Sequence, residues 1–115
     1  MTTKEKRKHD RIASLNLLNY VGLDENDQEM AQGMGRTLNV SKSGILLETH
    51  IPIEEKTFVL LTIGLEDELV DIKGEVAHSK PGKEGRFEAG IRFFEIDETA
   101  YRVLKKYVDV FSGTQ

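Results

Sequence analysis

The sequence predicts a mainly β protein: a six-stranded antiparallel barrel with one C-terminal α-helix, preceded by a flexible basic N-terminal arm. Three observations lead there. Apolar residues recur at every second position through short runs, and Gly, Pro, Ser and acidic clusters separate those runs, as in half-buried strands joined by tight turns. From Asp97 onward the period changes to that of an amphipathic helix. Charge is also segregated. Five cations against two carboxylates give residues 1–11 a side-chain charge of +3, leaving −7 on the remainder of a chain whose net charge is −4.

The arm, residues 1–11, is too polar for any core. Ile12 to Val21 reads as the first strand, with Ala13, Leu15, Leu17 and Val21 on one face and Ser14 and Asn16 on the other. Leu23 to Gln32 is acidic, polar and aperiodic, so it reads as a loop that Gly33 and Gly35 close. A second strand is expected from Arg36 to Val40, followed by Ser41-Lys42-Ser43-Gly44, which is turn chemistry. Ile45 to Thr49 starts the third strand. Pro52 cannot donate to a ladder and marks the loop behind it.

Thr57 to Leu65 is the most apolar run, and its shortness and β-branched and aromatic content favour a buried strand. After the polar turn Glu66-Asp67-Glu68, Val70, Ile72 and Val76 alternate with Asp71, Lys73 and Glu75. Gly74 interrupts the inward set, which signals a sharp bend, a bulge or a close backbone approach. Lys80 to Gly85 is a turn by composition. The last strand sets Phe87, Ala89, Ile91 and Phe93 against Arg86, Glu88, Gly90 and Arg92. Ala100, Val103, Leu104, Tyr107, Val108 and Phe111 then form a helical stripe, with Asp97 as cap, Glu98 near the positive end of the dipole and Gly113 as stop. The expected division is an arm over 1–11, a barrel over 12–96 and a helix over 97–112, all one domain. Strands with one apolar face each, joined by short turns, close into a small barrel whose flank or mouth the helix covers.

Composition narrows the function. A chain of 115 residues supports one core, and 38% apolar with 31% charged residues suits a soluble globular protein. No apolar run approaches the roughly 20 residues that span a bilayer, and no apolar stretch follows the N-terminal charges as in a secretory signal. The chain has no cysteine, which excludes disulfides, thiolate metal sites and thiol nucleophiles. A cytoplasmic protein without membrane insertion is therefore expected. An acidic body with 7% aromatic residues offers neither the basic groove nor the stacking platforms of a nucleic-acid binder. His9, His50 and His78 lack ligand spacing, and no Gly-rich phosphate loop precedes the helix. No enzyme, metal or cofactor is expected.

Two short motifs favour binding. Arg7-Lys8-His9-Asp10-Arg11 sets two arginines four apart, and a guanidinium can hold either a phosphate or the O6/N7 edge of guanine through two parallel hydrogen bonds. A basic terminal segment can equally be a solvated end. Asn39-Val40-Ser41-Lys42-Ser43-Gly44 puts a carboxamide and a hydroxyl on one side of an extended segment just before a glycine turn. Such a segment can read a base edge while Gly44 admits a ligand close to the backbone. It can equally be a strand-connecting turn.

In this order, about one strand and loop apart, the two motifs resemble the signatures of the PilZ domain, Arg-x-x-x-Arg and Asp/Asn-x-Ser-x-x-Gly. Every signature residue is present, and Gly74-Glu75-Val76 and Ala89-Gly90-Ile91-Arg92-Phe93 are similar to the family's last two strands. The resemblance implies a PilZ-like barrel and a receptor for cyclic di-GMP, a bacterial second messenger with two guanines and two phosphates. It assigns Arg7 and Arg11 as a clamp for guanine and phosphate, Asn39 and Ser41 as guanine readers, and Gly44 as the close-approach position. Lys6, before the first arginine, bears on whether one ligand or an intercalated pair is bound, and leans towards the pair. Lys8 adds a further cation to the same arm. His78 stands where some relatives carry a tryptophan near the site, so its ring either stacks on guanine or is a strand residue satisfied locally. The arm is expected to order on binding and to signal to a downstream effector protein. The competing reading is a ligand-independent protein-interaction adaptor on the same barrel.

Overall fold

Alternation of apolar and polar residues does build strands here, and they close on themselves. The computed structural model describes residues 17–65 and 67–113. The strands are β1 (Leu17–Leu23), β2 (Glu29–Val40), β3 (Gly44–Thr49), β4 (Phe58–Leu65), β5 (Glu68–Pro81) and β6 (Phe87–Phe94), followed by helix α1 (Glu98–Gly113). All neighbours pair antiparallel in a closed barrel of order β1-β2-β3-β6-β5-β4. The expected mainly β fold with a terminal helix is therefore the observed one. The arm and Ile12 to Asn16 of the expected first strand lie outside the described residues.

Inside the barrel, Leu47, Val59, Leu61, Ile63, Ile72 and Val76 are almost fully buried. In β1 the facing differs from expectation. Leu18, Tyr20 and Gly22 point inward, while Leu17 is 48% exposed and Val21 is half-buried on the outer face. Consecutive apolar residues fit either register, so the partners decide. Tyr20 pairs with Gly33 and its phenol occupies the space where a Gly33 Cβ would stand, 3.0 Å from Oη.

The stretch expected as a loop from Leu23 to Gln32 is mostly strand. The turn is confined to Asp24–Gln28, where the Asp24 carboxylate accepts from Asn26 N at 2.8 Å and Gln28 N at 2.9 Å, and Asp27 adopts φ 61°. β2 begins at Glu29, seven residues before the expected Arg36, in a stretch whose polar residues leave no apolar alternation to read. Gly33 and Gly35 lie within β2 rather than closing a loop. A Cβ on Gly35 would sit 2.5 Å from the buried Leu47 side chain, so both glycines make room for neighbours.

Asp97 caps α1 as expected, accepting from Ala100 N at 2.7 Å through its carboxylate. The stripe Ala100, Val103, Leu104, Tyr107 and Phe111 is buried, and the helix packs on β4 and β5. From it Tyr107 reaches β2, its hydroxyl 2.8 Å from that of the buried Thr37. Burial raises the Tyr107 phenol above its ordinary pKa, and the Thr37 hydrogen bond offsets part of the rise. A pKa raised on folding means stability that is full below the unfolded value and drains as pH climbs through the folded one. Tyr107→Phe is expected to cost about 1–2 kcal/mol in urea unfolding, because Thr37 then loses a buried partner. The variant should also show a shallower loss of stability in alkali.

Candidate functional site

Two one-residue bulges place the candidate side chains. Along β2, Gly35 and Thr37 face inward, so strict alternation would bury Asn39 as well. The register shifts between Thr37 and Asn39, however, which turns Asn39 outward and Val40 inward. β5 repeats the device. Ile72, Gly74 and Val76 face inward, the register shifts between Val76 and His78, and His78 emerges on the surface.

The two bulges face the same part of the barrel. Asn39 pairs with Leu46, Leu46 with Gly90, and Gly90 with His78, a row of register partners across β2, β3, β6 and β5. Three strand spacings make this row about 14 Å wide. The His78 ring lies over Gly90 and fills the space a Cβ would take there, so Gly90 serves as floor. The next row along the strands is Gly44, Arg92 and Glu75.

Between β2 and β3, Ser41 organises the turn. Its amide donates to Gly44 O at 2.8 Å, and its hydroxyl accepts from Ser43 N at 3.2 Å and Gly44 N at 3.3 Å. The same hydroxyl lies 3.1 Å from that of Ser43. Asn39 Oδ1 accepts from Val40 N at 3.0 Å, and Nδ2 has no hydrogen-bond partner among the described residues. Asn39 thus offers donors outward, whereas the Ser41 hydroxyl also holds the turn. A Cβ on Gly44 would sit 2.6 Å from Ile91 O, so the backbone of β6 is what approaches this glycine. Phe93 N, donating to Ser43 O at 2.9 Å, ties the turn to the same strand.

Asn39, Ser41, Gly44 and His78 line one open pocket of about 480 Å³. Lys6, Arg7, Lys8 and Arg11 lie outside the described residues. The pocket also contains two cations that the motifs do not include, Lys80 and Arg92. Lys80 Nζ lies 3.8 Å from a Glu88 oxygen, and Arg92 Nη2 lies 2.9 Å from Glu75 Oε1. The outward position of Arg92 is readable from the strand alternation, whereas Lys80 falls in the stretch expected as a turn, which β5 instead runs through to Pro81. The place of both beside the Asn-Ser turn depends on the β5 bulge and on β3 pairing with β6. Among the described residues no His/Cys/Asp/Glu group could hold a metal, and no helix is long and apolar enough to cross a membrane.

Comparison with solved structures returns the same barrel. The PilZ domain of CeSA from a cellulose-synthesizing bacterium superposes with a TM-score of 0.58 at 12% identity, covering 84% of this chain and 93% of that one. The PilZ domain of YcgR from Escherichia coli, solved with c-di-GMP, gives 0.59 at 10% identity over 85% and 83% of the two chains. The MrkH–c-di-GMP complex of K. pneumonia gives 0.62 at 14% identity, covering 86% of this chain but 48% of MrkH. These identities carry the fold alone. No curated protein matches the chain by sequence. The family model of the PilZ domain matches residues 5–109, from within the basic arm to the last turns of α1. The chain belongs to the PilZ domain family.

Proposed function

We propose that this protein is a receptor for cyclic di-GMP that acts by binding rather than catalysis. Asn39 and Ser41 read guanine from the barrel side, the His78 ring offers a stacking face, and Arg7 and Arg11 close over the ligand from the arm. One observation carries the reading: the Asn-x-Ser-x-x-Gly turn and His78, far apart in sequence, share a pocket in a chain that also keeps Arg-x-x-x-Arg. The chemistry is matched. Guanine presents both donors and acceptors to a carboxamide and a hydroxyl, while bidentate arginines suit its O6/N7 edge and the phosphates. Lys6 and Lys8 add charge to the arm for further phosphates.

Docking of the arm supplies the output. It changes the charge and shape of one barrel face, and a partner protein that prefers the docked form reads the change. The E. coli YcgR domain solved with c-di-GMP supports the ligand class.

Calorimetric titration is expected to give saturable heat with cyclic di-GMP and none with GTP or a short single-stranded oligonucleotide. Amide exchange in residues 1–11 should slow in the complex. No heat from the cyclic dinucleotide on folded protein would overturn the reading and leave the adaptor.

A further inference from the structure

Arg92 belongs to neither motif, yet the barrel delivers it to the pocket. We propose that Arg92 is a third arginine of the site, held by Glu75 in the free protein and transferred to a ligand phosphate on binding. The proposal rests on the reading of this pocket as a cyclic di-GMP site.

Position comes first. Arg92 pairs with Gly44 across β3 and β6, and it stands two residues beyond Gly90 on the same outer face. Its backbone is fixed to the Asn-Ser turn from both sides: Ile91 O fills the space beside Gly44, and Phe93 N donates to Ser43 O at 2.9 Å. The Arg92 backbone therefore lies beside the turn that carries Ser41, in the row next to the one Asn39 and His78 share, where its side chain can meet the phosphates of a dinucleotide lying along that row.

The guanidinium is held at a single point. Nη2 meets one Glu75 oxygen at 2.9 Å, with the arginine side chain 68% exposed and the glutamate 26%. Its other donors have no hydrogen-bond partner among the described residues. A one-point, solvated ion pair is weak, so a phosphate offering two parallel bonds competes well for the fork. Lys80, the other pocket cation, is a poorer candidate because its carboxylate partner Glu88 lines the pocket itself and repels an incoming anion. Glu75 lies outside the lining. As the register partner of Arg92 across β6 and β5, it holds the guanidinium sideways over the sheet without placing negative charge among the residues that line the pocket.

Two substitutions separate this role from a structural one, since each breaks the same ion pair. If Arg92 acts only by tying β6 to β5, Arg92→Gln and Glu75→Gln shift affinity in the same direction. If Arg92 holds phosphate, the two move apart. Calorimetry with cyclic di-GMP is expected to show Arg92→Gln weaker by about tenfold, the loss of one charge-assisted contact. Glu75→Gln should bind about two- to threefold tighter, because the competitor for the guanidinium is gone. Arg86→Gln removes the same charge outside the pocket and should stay within about twofold of wild type, as screening limits distant charges. The proposal is overturned if Arg92→Gln binds like wild type, if both members of the pair weaken together, or if Arg86→Gln weakens binding as much. Wild-type protein that gives no heat with cyclic di-GMP instead removes the reading of the pocket, and the proposal with it.

Discussion

Replacing Arg7 and Arg11 together by alanine is expected to weaken cyclic di-GMP binding about a hundredfold or more, since each charge-assisted contact is worth roughly 1.5–3 kcal/mol. The reason lies in the electrostatics of the barrel. Asn39 and Ser41 carry no charge, and the pocket cations Lys80 and Arg92 are each matched by a carboxylate. Residues 12–115 carry −7, so the body as a whole disfavours a dianion. The arm brings +3 within eleven residues, and under the proposed function that concentrated charge offsets the acidity of the body. Lysine at both positions keeps the charge but loses the planar fork, so the double lysine variant should recover only part of the affinity. Thermal midpoints without ligand provide the folding control. Wild-type affinity in the double alanine variant would show that the clamp is assigned to the wrong residues.

The fold was largely legible because most elements carry a readable pattern. In β5 and β6 inward apolar residues largely alternate with outward polar ones, β4 is marked by its short apolar run, and the helix stripe from Ala100 to Phe111 has no competing period. The failures occurred where such patterns carried no information. β2 begins among Glu29, Gln32 and glycines, and its buried inward positions ahead of the bulge are Gly35 and Thr37, so no apolar alternation marks it. β1 presented Leu17 and Leu18 side by side, and only the fit of Tyr20 against Gly33 chooses the face.

The site is partly written in residues and partly in bulges. Asn39, Ser41 and Gly44 could be singled out as a motif. That Asn39 points outward could not be deduced, since two-residue alternation from Thr37 buries it. The same holds for His78 after Val76. The signal is a polar residue at the next inward position on each strand, which a bulge resolves by moving it to the surface. Arg92 shows the remaining limit. It is an ordinary outward strand residue until β6 is known to pair with β3.

Gly44→Ala is expected to lower stability by about 1–3 kcal/mol even without ligand, because the new Cβ meets backbone rather than a movable side chain. The contact is Ile91 O at 2.6 Å, at a position where β3 has just begun and Gly44 pairs with Arg92. Relief requires the start of β3 to move away from β6. That movement strains the hydrogen bond from Phe93 N to Ser43 O and loosens the turn in which the Ser41 hydroxyl accepts from Ser43 N and Gly44 N. A glycine required for ligand approach predicts something different: an unchanged melting temperature with binding lost. The two accounts separate in one pair of measurements, a thermal melt without ligand and a titration with cyclic di-GMP. A lower midpoint together with weaker binding means that Gly44 serves the site by letting β6 hold the turn close. An unchanged midpoint with binding abolished would return the glycine to the ligand.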